Sequence, residues 1–466
     1  MKTTAQEAQP AEVIERSKQA GDIRSRWDWV EPAVWTDRML AALEQGVKGG
    51  VWFSLIDKVI APRALEASWR CVKANRGSAG VDRESVHRFA RHAAEKLAQV
   101  SAQLRAGGYR PQAVRRVYIP KGDGGQRPLG IPTVKDRVVQ GALRNVLEPI
   151  FEREFCAHSY GFRPGRGAKD ALRRVDEQLK EGYRYVVDAD LKSYFDTIPH
   201  DRLLALVRTR VADGPVLELL RAYLEQGVLD GLQEWKPTKG TPQGAVISPL
   251  LANLYLHPLD QLMATRGYEM TRYADDFVIL CRTATEAQQA LALVQSWVDE
   301  AGLTLHPDKT KLVDIHEPGG FDFLGYHFER GRRTPREKSL RKLKDTIRSK
   351  TRRTNGTSLS AIIEDLNQTL RGWFAYFQHS HFWVFSQLDA WIRMRLRSIL
   401  RRRAGLRGRG RGRDHQRWPN AFFIEQGLYS LASAHATISR SQGAHRLESR
   451  MRENRTSGSE GGGTGN

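Results

Sequence analysis

Two stretches of the sequence load carboxylates onto the end of an apolar run. The first reads Val186-Val187-Asp188-Ala189-Asp190 and continues to Phe195 and Asp196; the second reads Tyr273-Ala274-Asp275-Asp276-Phe277 and runs into Val278, Ile279 and Leu280. Burying an unpaired carboxylate is strongly unfavourable, so a strand end of this kind requires a cation. Lysine or arginine is one solution, with Lys192 and Arg272 the nearest candidates in sequence. Divalent metal is the other: two Mg²⁺ ions held by aspartate oxygens would neutralise the charge and stabilise the attacking and leaving oxygens of an in-line phosphoryl transfer. Alternation along a strand puts Asp188 and Asp190 on one face and separates Asp275 from Asp276 unless the turn breaks the pleat. Asp275 is therefore assigned as the bridging ligand and Asp276 as the supporting one. Periodicity alone leaves both Asp188 and Asp190 open in the first stretch.

These residues need strands to carry them and helices to cover the strands. Tyr185-Val186-Val187 and Phe277-Val278-Ile279-Leu280 read as strands separated by helical segments. After the second, Thr283 and Glu286 form a capping-box pair, Ala287, Leu291, Val294 and Val298 recur at helical spacing, and Gly302 marks a stop. Upstream, the Gly-rich stretch Pro120 to Pro128 separates Arg116-Val117-Tyr118-Ile119 from Leu129-Gly130-Ile131, which predicts two strands joined by a basic loop. The interleaving implies an α+β core.

The 466 residues are too many for one ordinary domain. Lys and Arg number 74 against 53 Asp and Glu, a formal charge of +21, and a surplus of that size points to a polyanionic partner, nucleic acid before membrane. The charge is concentrated: residues 331–420 hold 23 Lys and Arg against 6 Asp and Glu, a net +17. That stretch also carries Leu366, Leu370, Trp373 and Phe377, then Leu388, Trp391, Leu396 and Leu400, at helical spacing, which predicts a folded helical domain with a basic face. The run Arg401 to Arg413, interspersed with glycine, predicts a flexible basic loop, and the Gly/Ser-rich end from Thr456 predicts disorder. Cys71, Cys156 and Cys281 lie far apart with no CxxC pair, so neither a disulfide framework nor a zinc finger is expected. No apolar run reaches bilayer length and the polar start lacks the features of a signal peptide, so the expected location is cytoplasmic.

Tyr273-Ala274-Asp275-Asp276 between apolar strands resembles the YxDD hairpin of reverse transcriptases, and Asp190 followed five residues later by Phe195 resembles their first catalytic motif. The resemblance selects Asp190 over Asp188. It extends, in family order, to Lys121–Pro132 (KGDGGQRPLGIP), Ser159–Gly165 (SYGFRPG), Gly240–Leu256 (GTPQGAVISPLLANLYL), Leu305–Lys311 (LHPDKTK) and Phe321–Tyr326 (FDFLGY). Among reverse transcriptases these blocks look like those of group II intron proteins, whose maturase domain is resembled by Leu370 to Phe377 (LRGWFAYF). Four residues such as YADD recur by chance; six blocks in the right order do not.

The resemblance implies a right-hand polymerase with an N-terminal extension over 1–50, fingers over 51–180, a palm over 181–330, an α-helical thumb and maturase domain over 331–420, and a basic C-terminal segment over 421–466. It implies Asp190, Asp275 and Asp276 as ligands of two Mg²⁺ ions, Lys309 beside the leaving pyrophosphate, Lys121 and Arg127 gripping the incoming triphosphate, and Gln243 against template or nucleotide. Phe195 would press on the sugar and exclude a 2′-hydroxyl. Arg371, Arg401, Arg402 and Arg403 are the expected RNA contacts of the basic domain, whose Trp and Phe residues fit a helix core better than base-stacking platforms. The implied partners are group II intron RNA, an RNA template with a DNA primer, target DNA and deoxynucleoside triphosphates, in a bacterial cytoplasm near the nucleoid. Beyond about residue 420 the Cys/His pattern of the nuclease domain that some relatives carry is missing, so the primer is expected to be borrowed. Two rival readings are an RNA-binding splicing cofactor with an idle polymerase site and a reverse transcriptase recruited to a host role such as phage defence.

Overall fold

The structure, a computed structural model, describes residues 23–120, 125–408 and 412–440. Its contacts divide the chain into two compact units, residues 1–313 and 314–466.

In the first unit the runs rich in Val, Ile and aromatic residues form strands, named here in chain order: β1 Val114–Pro120, β2 Gln126–Ile131, β3 Tyr185–Asp190, β4 Val228–Asp230, β5 Gln233–Trp235, β6 Glu269–Tyr273, β7 Asp276–Cys281 and β8 Lys311–Asp314. One four-stranded sheet runs β6-β7-β3-β8. β3 lies antiparallel to β7, from Tyr185 opposite Cys281 to Asp190 opposite Asp276. β6 and β7 form a hairpin from Glu269 opposite Leu280 to Tyr273 opposite Asp276. The consecutive apolar residues of β7 are buried, as a strand covered on both faces requires. The helix Ala284–Glu300 packs on β3 and β7, and the helices Ala168–Lys180 and Ser248–Thr265 pack on β6. Thr283 and Glu286 close the expected capping box at the start of Ala284–Glu300, and Gly302 follows its end at φ +70°. A second sheet runs β2-β1-β4-β5, with β1 and β2 antiparallel and β4 parallel to β1.

Of the segment expected as an extension, the described residues from Ile23 onward join this core. Trp35 is fully buried, its indole N–H donates to the Asn145 carbonyl at 3.0 Å, and its ring meets Trp52 edge-on at 5.3 Å. The helix Asp37–Gln45, capped by Thr36, buries Leu40 and Leu43 in the same cluster.

The second unit has its own apolar core. A small antiparallel sheet of β9 Phe321–Phe323, β10 Tyr326–Glu329 and β11 Arg332–Pro335 precedes the helices Glu337–Lys350, Leu359–Phe377 and Phe382–Arg403. The break in contacts falls at Val313/Asp314. A reciprocal pair of bonds, Tyr326 Oη to the Tyr376 carbonyl and Tyr376 Oη to the Leu324 carbonyl, each at 2.7 Å, ties the small sheet to the helix Leu359–Phe377. Phe374 and Phe377 are buried as core residues, whereas Phe382 and Trp383 are 61% and 36% exposed at the start of their helix.

Candidate active site

The register of β3 on β7 brings Asp190 opposite Asp276, and cross-strand partners share one face of a sheet. Asp275 lies in the two-residue turn between β6 and β7. Ala274 there takes a left-handed φ of +59°, which breaks the pleat and frees Asp275 from strand alternation. Burial pushes the Asp275 carboxyl above the ordinary carboxylate range; the nearby charge of Asp190 adds to the effect, and Arg127 and Arg272 act against it. Three elements therefore converge on one sheet end.

Neither cation nearest in sequence pairs with these carboxylates. Asp190 Oδ2 accepts from Lys309 Nζ at 2.8 Å, and Asp188 faces Lys311 at 3.7 Å. The turn carrying Lys309 is moored to the end of β3, since His306 N–H donates to the Asp190 carbonyl at 2.7 Å. Lys309 thus reaches the Asp190 carboxylate.

Arg272 does different work. Fully buried, it donates through Nε to Asp260 at 2.7 Å, and through Nη1 to the Asn253 side chain and the Ala274 carbonyl, each at 2.9 Å. Asp260 is itself buried on the helix Ser248–Thr265. The guanidinium therefore fixes the turn that presents Asp275. Asn253 also donates to the Gly161 carbonyl at 2.7 Å, and His158 to Tyr160 run alongside β6 through bonds with Arg272's own backbone. Gly161 sits so close that a Cβ there would lie 2.2 Å from the Ala274 nitrogen and 2.8 Å from the Tyr273 carbonyl carbon. Gly161→Ala is accordingly expected to displace the turn and cut primer extension about 100-fold while RNA binding persists. Equal primer extension by variant and wild type, measured at saturating template, would remove this role.

Asp260, Asn253 and Gly161 were missed by reasoning on motifs. Asn253 and Gly161 lie inside recognised blocks, and Asp260, on an otherwise apolar helix, was the available signal: a buried acid calls for a buried base.

Beside the carboxylates, Arg127 Nε donates to Gln243 Oε1 at 2.9 Å, and Gln243 Nε2 donates to Asp196 Oδ2 at 3.3 Å. Gly130 N–H donates to the Gln243 carbonyl and Thr241 N–H to the Phe195 carbonyl, each at 2.7 Å. A Cβ at Gly240 would meet the Asp196 backbone at 2.8 Å, and one at Gly244 the Gly130 oxygen at 2.6 Å, so both glycines permit close backbone approach. Phe195 is 7% exposed, packed edge-on against Tyr194 in the main core. Lys121 lies outside the described residues.

In the second unit Arg401, Arg402 and Arg403 form the last turn of the helix Phe382–Arg403 and not the start of a flexible loop. Arg401 Nη1 pairs with the buried Asp414 at 2.8 Å and its Nε donates to the Arg407 carbonyl at 2.7 Å, which gives that turn a reason to stay helical. Arg403 donates to the carbonyls of Asn355 and Thr357. Arg402 is exposed, and Arg371, also exposed, lies 5.5 Å over the Tyr429 ring.

Among the described residues no three His, Cys, Asp or Glu side chains stand in one group that could hold a metal ion. The donor chemistry of Asp190 and Asp275 fits one all the same. Carboxylate oxygens are what Mg²⁺ takes, and a cation between two like charges would offset what burial costs Asp275.

Residues 119–328 match the family model for reverse transcriptase (RNA-dependent DNA polymerase), and residues 340–418 match the group II intron maturase-specific domain. Protein YkfC of Escherichia coli is 34% identical over 319 residues, 60% of this chain and 83% of that one. The group II intron-encoded protein LtrA of Lactococcus lactis is 42% identical over 170 residues, 36% of this chain and 28% of that one. An uncharacterised 91 kDa protein of the Schizosaccharomyces pombe cob intron is 32% identical over 261 residues, 43% of this chain and 32% of that one. The matches to LtrA and the cob intron protein span less than a third of each relative. With both domain models matched in order and most of YkfC covered, the chain belongs to the reverse transcriptase and maturase family of group II intron proteins.

Proposed function

We propose that this chain is an RNA-directed DNA polymerase encoded by a group II intron, joining deoxynucleotides to a primer 3′-hydroxyl, and that it also binds its intron RNA to promote splicing and copies that RNA during mobility. The observation that carries the polymerase reading is the meeting of Asp190, Asp276 and the turn residue Asp275 at one sheet end. Mg²⁺ held by Asp190 and Asp275, with Asp276 in support, would stabilise charge on the attacking and leaving oxygens.

The chain's own groups have separable tasks. Arg127, held by Gln243, offers its remaining guanidinium N–H groups to the triphosphate, with Lys121 as the second cation of that loop. Gln243, bridging Arg127 and Asp196, is positioned by Gly130 to report on the nascent base pair. Lys309 stabilises charge developing on the leaving pyrophosphate. Arg371 and Arg402, both exposed, and Arg401 and Arg403, on the same helix end as Arg402, contact intron RNA through its phosphates. The partners in this reading are intron RNA, template RNA with a DNA primer, target DNA and deoxynucleoside triphosphates. The place of action is the bacterial cytoplasm near the nucleoid; none of the described helices is long and apolar enough to cross a membrane.

Phe195 tests the reading most selectively. Its backbone is tied to Thr241, and its ring follows Asp190 by one short turn. Phe195→Ala is expected to raise ribonucleotide use relative to deoxynucleotide use by at least about tenfold, read as a ratio of kcat/KM values so that any loss of stability cancels. Unchanged discrimination would leave Phe195 a core residue only. Primer extension on RNA by wild-type protein, and splicing of the RNA transcribed around its gene, test the two activities directly.

A further inference from the structure

The second unit contains a pocket of about 290 Å³ lined by Arg348, Thr351, Arg353, Trp391, Met394, Arg395 and Ser398. It lies where the end of the helix Glu337–Lys350 meets the middle of Phe382–Arg403. Three guanidinium groups share this space. Arg348 stands 5.7 Å and Arg395 5.4 Å from the centre of the Trp391 ring, both in cation-π range. Arg395 is fixed in place: its Nε donates to Thr351 Oγ1 at 2.6 Å and its Nη2 to the Thr351 carbonyl at 3.0 Å. Thr351 is buried, and its hydroxyl donates in turn to the Ile347 carbonyl at 2.6 Å. Arg353 is exposed at the rim.

The pocket lining contains no carboxylate. Asp345 engages Arg348 Nη1 at 2.5 Å, but it is 60% exposed and sits outside the lining. Arg395 feels burial and the repulsion of Arg348 and Arg353, which pull its basicity down. Holding like charges together has a cost that a bound anion would reverse, and guanidinium forks match phosphate oxygens better than any other side chain does. With Trp391 already faced by two guanidinium groups, its ring orients them rather than offering a platform to a base.

We infer that this pocket binds a phosphate of the RNA backbone, seated between Arg348, Arg353 and Arg395 and anchoring RNA to the second unit at a defined point. This rests on the reading that the chain binds RNA, and it adds a site to the arginines named above. It predicts that the three arginines act as one receptor and not as general surface charge.

The test compares two charge-matched pairs in the full-length protein: Arg348→Gln with Arg353→Gln at the pocket, and Arg332→Gln with Arg341→Gln, exposed residues elsewhere in the unit. Affinity for a structured RNA is measured across a salt series, with thermal melting recorded for each protein. The pocket pair is expected to lose at least about tenfold in affinity and to lower the salt slope by about one phosphate contact, while the control pair loses less than about threefold. Arg353→Gln alone, at an exposed position, is expected to show the same direction even if the pair lowers the melting temperature. Inorganic phosphate at millimolar concentration should compete with RNA for wild type and not for the pocket pair; competition equal in both would mean the pocket does not distinguish an RNA phosphate. Equal losses in the two pairs would overturn the inference, leaving diffuse charge as the cause. Failure of wild type to bind RNA at all would instead overturn the functional reading on which it rests.

Discussion

Asp275→Ala is expected to reduce primer extension by at least about a thousandfold, roughly 4 kcal/mol of transition-state stabilisation, without unfolding the protein. The two halves of this expectation have separate causes. Asp275 is one of three carboxylates at the sheet end, and in the proposed reading its loss leaves Asp190 and Asp276 alone to hold divalent metal. For the fold, the sign runs the other way. Burial raises the folded pKa of Asp275 above its unfolded value, so any stability linked to its protonation is present at low pH and lost as pH rises through the raised pKa. At neutral pH the ionised carboxylate is then a burden on the fold. Removing it should leave the melting temperature unchanged or raise it, the pattern of a residue kept for chemistry at the expense of stability. Asp275→Asn, of nearly the same shape, should behave alike in both assays. A clear drop in melting temperature, with extension reduced only in proportion to the folded fraction, would make Asp275 a structural residue.

Asp260→Ala is expected to have the largest effect on stability, about 3–5 kcal/mol, because it strands the Arg272 guanidinium in a fully buried position. Chemical denaturation measures that loss. Extension should fall as well, since Arg272 holds the Ala274 carbonyl and through it the turn bearing Asp275. Replacing both partners, Asp260→Leu with Arg272→Met, removes the unpaired charge and should recover most of the stability. It should not recover extension, because nothing then ties down the turn. This split separates positioning from mere folding. A cost below about 1 kcal/mol for Asp260→Ala, or full extension by the double variant, would sink the assignment.

How far the sequence can be read depends on whether a feature is local. The strands Tyr185–Asp190 and Asp276–Cys281, the capping box at Thr283 and the stop at Gly302 were all legible, because period, cap chemistry and glycine act over a few residues. The turn bearing Asp275 is legible as a motif. The resolution of its pleat is not, since it depends on the left-handed φ at Ala274. What holds that turn is long-range: Arg272 finds Asp260 on a different element, and Gly161 comes from further away again. The sequence offers Lys192 or Arg272 as ion-pair partners for Asp190 and Asp275, whereas Asp190 pairs with Lys309 and the neighbouring Asp188 with Lys311.

The second unit shows the same limit. Its helices are visible in their apolar spacing, while a boundary near residue 330 cuts through the small sheet Phe321–Pro335. Sequence order gives no sign of the reciprocal bonds between Tyr326 and Tyr376. The glycines interspersed from Arg401 to Arg413 argue for a loop, but Asp414, thirteen residues on from Arg401, pins the helix end. Near the N-terminus the stretch expected only as an extension carries Trp35, whose burial is complete. In each case a tertiary contact overrode a local tendency.

The most direct test of the central claim is addition of deoxynucleotides to a DNA primer on an RNA template by the purified chain, with Mg²⁺ supplied or chelated, and with Asp190→Asn alongside. Robust extension that requires both the metal and the Asp190 carboxylate is the predicted result. A well-folded wild-type protein that binds RNA tightly but adds no nucleotide, with Mg²⁺ present, would contradict it and leave an RNA-binding splicing cofactor as the better description.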